Sequence, residues 1–355
     1  MTKLKPGVVT GEEYVTLVEA CKSGGYALPA VNVADVNSLN AALESAAMTK
    51  SDIIIQMSNG GAGFFGGPSI GTIDMKVKGA VSAARHVHMM AEDYGVAVIL
   101  HTDHANRKLL PWIDGMMDYN EAAKKETGKP LFSSHMIDLS EEELDDNIGT
   151  CADYLKRMAP CDISLEIELG VTGGEEDGVG HDLDEGADSA HLYTQPEDVL
   201  QAYDALKDLG HFTVAASFGN VHGVYKPGNV QLRPEILINS QKLVEAERGT
   251  GSLPLHLVFH GGSGSEKEKI AEALSYGVFK MNIDTDTQFA CAKGIGDYVD
   301  AHPIAFKHQI CPETGAPQKK FYDPRKWNRA IQQSMAARLE EAFHDLQSHG
   351  RSVCN

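Results

Sequence analysis

No two of the six cysteines form a CxxC pair; Cys21, Cys151, Cys161, Cys291, Cys311 and Cys354 are scattered along the chain. That excludes zinc-ribbon and thioredoxin-type sites, and the residues read as reduced thiols of a cytosolic protein. No apolar run reaches the length of a membrane-spanning helix. The opening MTKLKPGVVT lacks the apolar core of a secretory leader, so a cytoplasmic location is expected. Basic residues are scarce: 31 Lys and Arg stand against 50 Asp and Glu, for a formal charge of −19. Nucleic acid and anionic membranes need basic patches, so neither is expected as a partner. A small anionic substrate is admissible where backbone N–H groups, a metal or a few cations meet it locally. No Pro/Ser-rich linker and no fixed-period repeat divides the chain, so residues 1–355 read as one domain.

What is present is an alternation. Short apolar runs occur at 27–33, 52–58, 96–102, 131–137, 163–169, 212–218, 255–260 and 278–283. Helix-like stretches lie between most of them, at Ser38–Met48, Lys78–Asp93, Glu141–Met158, Pro196–Leu209 and Lys267–Ser275. Eight such units predict an α/β fold, a (β/α)8 barrel. Apolar residues at 327, 331, 335, 339 and 343 predict a C-terminal amphipathic helix that packs on the barrel or on a partner subunit. Residues 170–195 and 307–324 read as loops.

A barrel carries its active site at the C-terminal ends of its strands. Here those ends hold Asn32, Ser58, Asp103 and His104, Asp138, Glu166 and Glu168, Ser217 with His222 soon after, His260, and Asn282 to Asp284. Nearly every strand delivers a polar or metal-binding group to one rim. His104, His222 and His260 suit a catalytic zinc site with an open coordination position. In SLEIEL, alternation puts Ser164, Glu166 and Glu168 on one side and Leu165, Ile167 and Leu169 on the other. Two glutamates inside a barrel need cations or shared protons. Metal coordination supplies one answer, and a buried salt bridge to Lys280 the other. Asp103 and His104 alternate in an ideal strand, but a turn at the strand end lets both reach the cavity. His86 and His88 stand two apart on a helix and cannot chelate together. His101 and His256 read as structural, and His181 and His191 carry no definite signal.

HGGSGS, residues 260–265, and NIDTDT, residues 282–287, follow the last two strands. Loops in those places commonly form a barrel's phosphate site. Lys226 and Arg325 are available for a second anionic group. TGGEEDG, residues 172–178, carries Glu175 and Glu176 between glycines and could bring a carboxylate to a substrate as a lid.

HTDHA, SSHMIDLS, LEIELGVTGGEEDG, YTQPEDV, ASFGNVHGVYKPGNV, VFHGGSGS, KMNIDTDTQ and YDPR together resemble the class II, metal-dependent fructose-1,6-bisphosphate aldolases, over nearly the whole chain. The resemblance implies zinc on His104, His222 and His260, with Glu168 and Asp138 serving a second metal position. It implies Asp103 as the acid–base at the aldehyde-derived oxygen, and Glu176 as the carboxylate that exchanges the carbon-bound proton of dihydroxyacetone phosphate. That triose phosphate would lie on Gly223, Gly261, Gly262, Ser263, Asn282, Ile283, Asp284 and Thr285. Ser58 and Arg325, the latter from the neighbouring subunit of a homodimer, would meet the other phosphate, and Asn32 would position the substrate. A monovalent cation, Na⁺ or K⁺, near Val221, Gly223, Gly261 and Ser263 is implied too. Residues 180–190 form a slightly longer stretch than the commoner family pattern. The chemistry is coherent on its own terms, since cleaving a bond beta to a carbonyl needs an electron sink, a base and phosphate anchors. Three alternatives remain: the tagatose-bisphosphate aldolase, an imine-forming aldolase using Lys280, and a non-catalytic sugar-phosphate-binding barrel.

Overall fold

The computed structural model describes residues 3–172, 174–176, 179–181, 193–221 and 232–354, with the backbone alone for 174–176 and 179–181. Among the described residues, eight barrel strands follow in chain order: β1 Leu28–Asn32, β2 Ile53–Met57, β3 Ala97–Ala105, β4 Ser134–Ile137, β5 Ser164–Leu169, β6 Phe212–Ala216, β7 Leu257–Phe259 and β8 Val278–Ile283. Each pairs in parallel with the next. β8 pairs back onto β1, Lys280 to Ile283 against Leu28 to Val31, so the sheet closes. This is the expected (β/α)8 TIM barrel.

Alternation sorts the strand residues into two packed layers. Leu165, Ile167 and Leu169 join Val31, Ile55, Val98 and Leu100 in the layer that faces the helices. Leu28, Ala30, Ile54, Ala97, Ile99 and Val258 face inward. Tyr14, Leu17, Val18 and Cys21, from the helix Glu12–Gly24, pack into that inner cluster and plug the floor. Fully burying one such apolar side chain contributes about 1.5–3 kcal/mol. A short strand, Gly7–Val8, pairs with the foot of β3 at Ala97 and Val98.

The sequence left several helices unassigned. One is Asn59–Gly66, where Gly60, Gly61, Gly63 and Gly66 weaken helix propensity. Ser58 caps it by accepting from Gly61 N at 3.1 Å. The C-terminal helix spans Pro324–Asp345 and buries Met335, Leu339 and Phe343, three positions of the expected stripe. None of the six cysteines forms a disulfide. Among the described residues, no helix is long and apolar enough to cross a membrane.

The end of β3 settles how Asp103 and His104 share the rim. The β3–β4 register shifts between Thr102 and Ala105, and His104 adopts a left-handed φ of 44°. That conformation costs a non-glycine residue about 1–2 kcal/mol. It breaks the alternation that would otherwise turn one of the two side chains outward.

Candidate active site

Asp103 is fully buried at the barrel mouth. Its Oδ2 accepts from Gln56 Nε2 at 2.9 Å and Asn32 Nδ2 at 3.2 Å; its Oδ1 accepts from Asn282 Nδ2 at 3.2 Å. Three amides from β2, β1 and β8 therefore fix both oxygens. Burial alone would push this carboxyl up. His104, then Lys280, His260 and His101, outweigh burial and hold it below the usual carboxylate range. Gln56 was not singled out from the sequence. Its signal was there, in a polar side chain inside the apolar run IIIQM at the same alternation as Ser58.

Beside Asp103, side chains of metal-ligating types converge. Single donor atoms of Asp103, His104 and His260 lie within 4.8 Å of one another, and so do those of His104, Asp138 and Glu168. His104 Nδ1 lies 2.8 Å from Asp138 Oδ2, while Asp138 Oδ1 accepts from Ser140 Oγ at 2.7 Å. Glu168 Oε1 accepts from Thr172 Oγ1 at 2.6 Å. Its Oε2 is buried, makes no hydrogen bond among the described residues, and lies 3.3 Å from His260 Nδ1. A buried carboxylate oxygen in that position calls for a cation. Imidazole nitrogens and carboxylate oxygens at this spacing fit a divalent ion of borderline softness. His222, the third expected histidine, lies outside the described residues.

The two inward glutamates of β5 have separate fates. Glu168 faces the convergent donors. Glu166 accepts from Lys280 Nζ at 2.8 and 2.9 Å and lies 2.8 Å from His260 Nε2. Burial would raise the Glu166 carboxyl, but Lys280, His101 and His260 hold it well below its ordinary value. The salt bridge and the metal-type cluster thus occur side by side, one glutamate each.

The loops after β7 and β8 meet. Gly262 N donates to Asn282 O at 3.2 Å, and Asp286 N to Ser263 Oγ at 3.4 Å. Gly261 has a left-handed φ of 59°, and a Cβ on Gly262 would sit 2.5 Å from Met281 Cγ. Ile283 ends β8, and Thr285 begins the helix Thr285–Ala301 with Asp284 at its N-cap. That helix N-terminus opens on the rim. Asn220, also missed in the sequence, ties the segment after β6 to β7 by donating to His260 O at 3.0 Å. Val221 is buried nearby in sequence. A cavity of about 330 Å³ adjoins the rim, lined by Asn32, Ser58, Phe64, Asp284, Ile331 and Met335 among others.

Other expected residues stand apart. Arg325 is 89% exposed and pairs with Asp323 at 2.6 Å, turned to solvent rather than into this chain's own rim. The backbone of Glu176 lies in a hairpin, Gly174–Glu176 against Val179–His181; its side chain is outside the described set, as are Gly223, Lys226 and residues 182–190. His86 bonds Asn40 at 2.9 Å and His88 bonds Leu131 O at 2.9 Å, so the two do point to different neighbours. Buried His101 lies 2.8 Å from Ser134 Oγ.

Known proteins resemble this chain along nearly its whole length. The family described as Fructose-bisphosphate aldolase class-II matches residues 12–351. The chain is 53% identical to the Fructose-bisphosphate aldolase of Haemophilus influenzae over 351 residues, 97% of this chain and 96% of that one. It is 53% identical to the Fructose-bisphosphate aldolase class 2 of Escherichia coli K12 over 349 residues, with the same coverage of each chain. The solved Fructose-bisphosphate Aldolase from Campylobacter jejuni superposes with a TM-score of 0.89 at 51% identity, covering 98% of both chains. The barrel, its convergent rim and these full-length similarities lead to one conclusion: the chain belongs to the class II fructose-bisphosphate aldolases.

Proposed function

We propose that this rim cleaves fructose 1,6-bisphosphate reversibly to dihydroxyacetone phosphate and glyceraldehyde 3-phosphate, with zinc as the catalytic ion. The observation that carries the reading is the convergence of His104 and His260 with Asp138 and Glu168 beside the amide-held Asp103. In it, His104 and His260, together with His222, hold the zinc, and Glu168 with Asp138 serves a second metal position. When bound, the ion supplies a Lewis acid at the substrate carbonyl, where negative charge develops.

The chain's own groups do the rest. Asp103 takes the C4 hydroxyl proton during cleavage and returns it in condensation. Its three amide donors aim it before the substrate arrives, which lowers the cost of reorganisation. Glu176, on the loop after β5, exchanges the proton at the carbon of dihydroxyacetone phosphate. That phosphate rests on Gly223, Gly261, Gly262, Ser263, Asn282, Ile283, Asp284 and Thr285, with Na⁺ or K⁺ held near Val221, Gly223, Gly261 and Ser263. Asn32 orients the sugar and Ser58 meets the far phosphate. Arg325 reaches that phosphate from the second copy of a homodimer, a role its outward pose supports. Residues 1–355 act as one domain in the cytoplasm.

The test is fructose 1,6-bisphosphate cleavage before and after EDTA, with Zn²⁺ added back and metal content measured on the same sample. Activity lost and restored supports the reading. Full activity in a metal-free sample overturns it. A zinc-loaded sample that is inactive on fructose but active on tagatose 1,6-bisphosphate reassigns the substrate.

A further inference from the structure

Glu166 lies at the middle of β5, below the rim and 2% exposed. Lys280, equally buried, gives it two bonds from a single ammonium, at 2.8 Å to Oε1 and 2.9 Å to Oε2. Such a doubly bonded partner is a carboxylate, and an ionised carboxylate accepts hydrogen bonds without donating any. Oε1 also lies 2.8 Å from His260 Nε2. The ring must therefore be the donor, with its hydrogen on Nε2. A neutral imidazole with hydrogen on Nε2 keeps its lone pair on Nδ1. Nδ1 is the nitrogen 3.3 Å from Glu168 Oε2, on the side of the convergent donors.

We infer that Glu166, with Lys280 as its fixed counter-ion, is a positioning residue for His260, selecting the Nε2–H tautomer and turning Nδ1 to the metal. The inference rests on the proposed reading of His260 as a metal ligand. It also gives Lys280 a role that an imine-forming lysine would not have. Its ammonium is committed to Glu166, inside the barrel, and its removal would strand a buried charge. His101 completes the surround, with Nε2 3.6 Å from Glu166 Oε2. Outer partners of this kind orient ligands and raise their basicity, and their loss typically weakens metal binding by about 10–100-fold.

The double variant Glu166→Leu/Lys280→Met removes the acceptor and the counter-ion together, leaving apolar side chains of similar size and no stranded charge. Metal-free protein is titrated with Zn²⁺ against a chromophoric chelator, and the visible absorption of the Co²⁺-loaded protein is recorded. The expected result is a loss of zinc affinity of about 10–100-fold and a changed Co²⁺ spectrum, at a melting temperature close to wild type for the metal-free protein. Glu166→Gln/Lys280→Met keeps an acceptor oxygen and should recover most of the affinity. Unchanged affinity and spectrum in the folded Leu/Met variant overturn the inference. If that variant does not fold, ¹⁵N NMR of the histidine rings in zinc-loaded wild type decides. Hydrogen on Nε2 and metal on Nδ1 of His260 support the inference, and the reverse overturns it. His260→Ala separates the underlying reading: zinc affinity indifferent to that change means that His260 is no ligand, and both fall.

Discussion

The floor and the rim of this barrel use the same residue types and arrive at opposite chemistry. At the floor, Ser164 Oγ lies 2.7 Å from His211 Nδ1, His211 Nε2 lies 3.0 Å from His256 Nδ1, and His256 Nε2 lies 2.7 Å from Glu19 Oε1. The four groups form a line, and every ring nitrogen has a neighbour. Burial keeps both imidazoles neutral, with His211 pushed down to about 3 and His256 to about 4. At the rim the donors converge instead, and the buried Glu168 Oε2 makes no hydrogen bond among the described residues. A line of donors and acceptors satisfies itself. A convergent cluster of lone pairs and carboxylates requires a cation.

The largest way to sharpen that contrast is at Asp103. Asp103→Ala should cut turnover by about 10²–10⁴-fold while zinc content stays near wild type. Turnover that survives would move the proton transfer to another group. Gln56→Leu should have a smaller effect of the same kind. It removes one charge-assisted donor to Asp103, worth about 1.5–3 kcal/mol, so kcat should fall by about tenfold or more in steady-state assays. An unchanged kcat would mean that Asn32 and Asn282 alone fix the carboxylate.

At the floor, His211→Leu leaves Ser164 and His256 each without one partner. Urea denaturation should show a stability loss of about 1–3 kcal/mol, with kcat/KM unchanged. A folded His211→Leu protein with impaired kcat/KM would couple floor to rim and break the comparison. The comparison also extends to the pH dependence of stability. The unfolded chain has histidines near 6.5, while His211 and His256 are depressed in the fold. The unfolded state therefore binds more protons between about pH 6.5 and 4, and stability should fall as pH drops through that window. Each proton contributes at most about 1.4 kcal/mol per pH unit, and His211→Leu should flatten the slope. Equal slopes in both proteins would place the titration elsewhere.

Much of this was legible in the chain. The alternation in SLEIEL put Glu166 and Glu168 inside, and the structure has both buried there. Lys280 reaches Glu166, so the salt bridge answers one glutamate and leaves Glu168 with the convergent donors. His86 and His88 separate as helix geometry requires. Other features were hidden for specific reasons. Gln56 gains its meaning only beside Asp103, 47 positions away. The left-handed His104 is a backbone state that no side-chain pattern announces. The glycine-rich helix Asn59–Gly66 defies its own propensity because tertiary packing and the Ser58 cap hold it.

By itself the sequence determined the barrel, the inward glutamates and the rim to which the polar groups belong. Strand alternation and burial are local properties, written in the order of residues along each element. Only the tertiary structure decided the partners: which glutamate takes Lys280, which nitrogen of His260 faces Glu166, and which amides hold Asp103. Those choices depend on distances of a few ångströms between strands far apart in the chain. Barrel closure and register fix such distances, and no single strand carries that information.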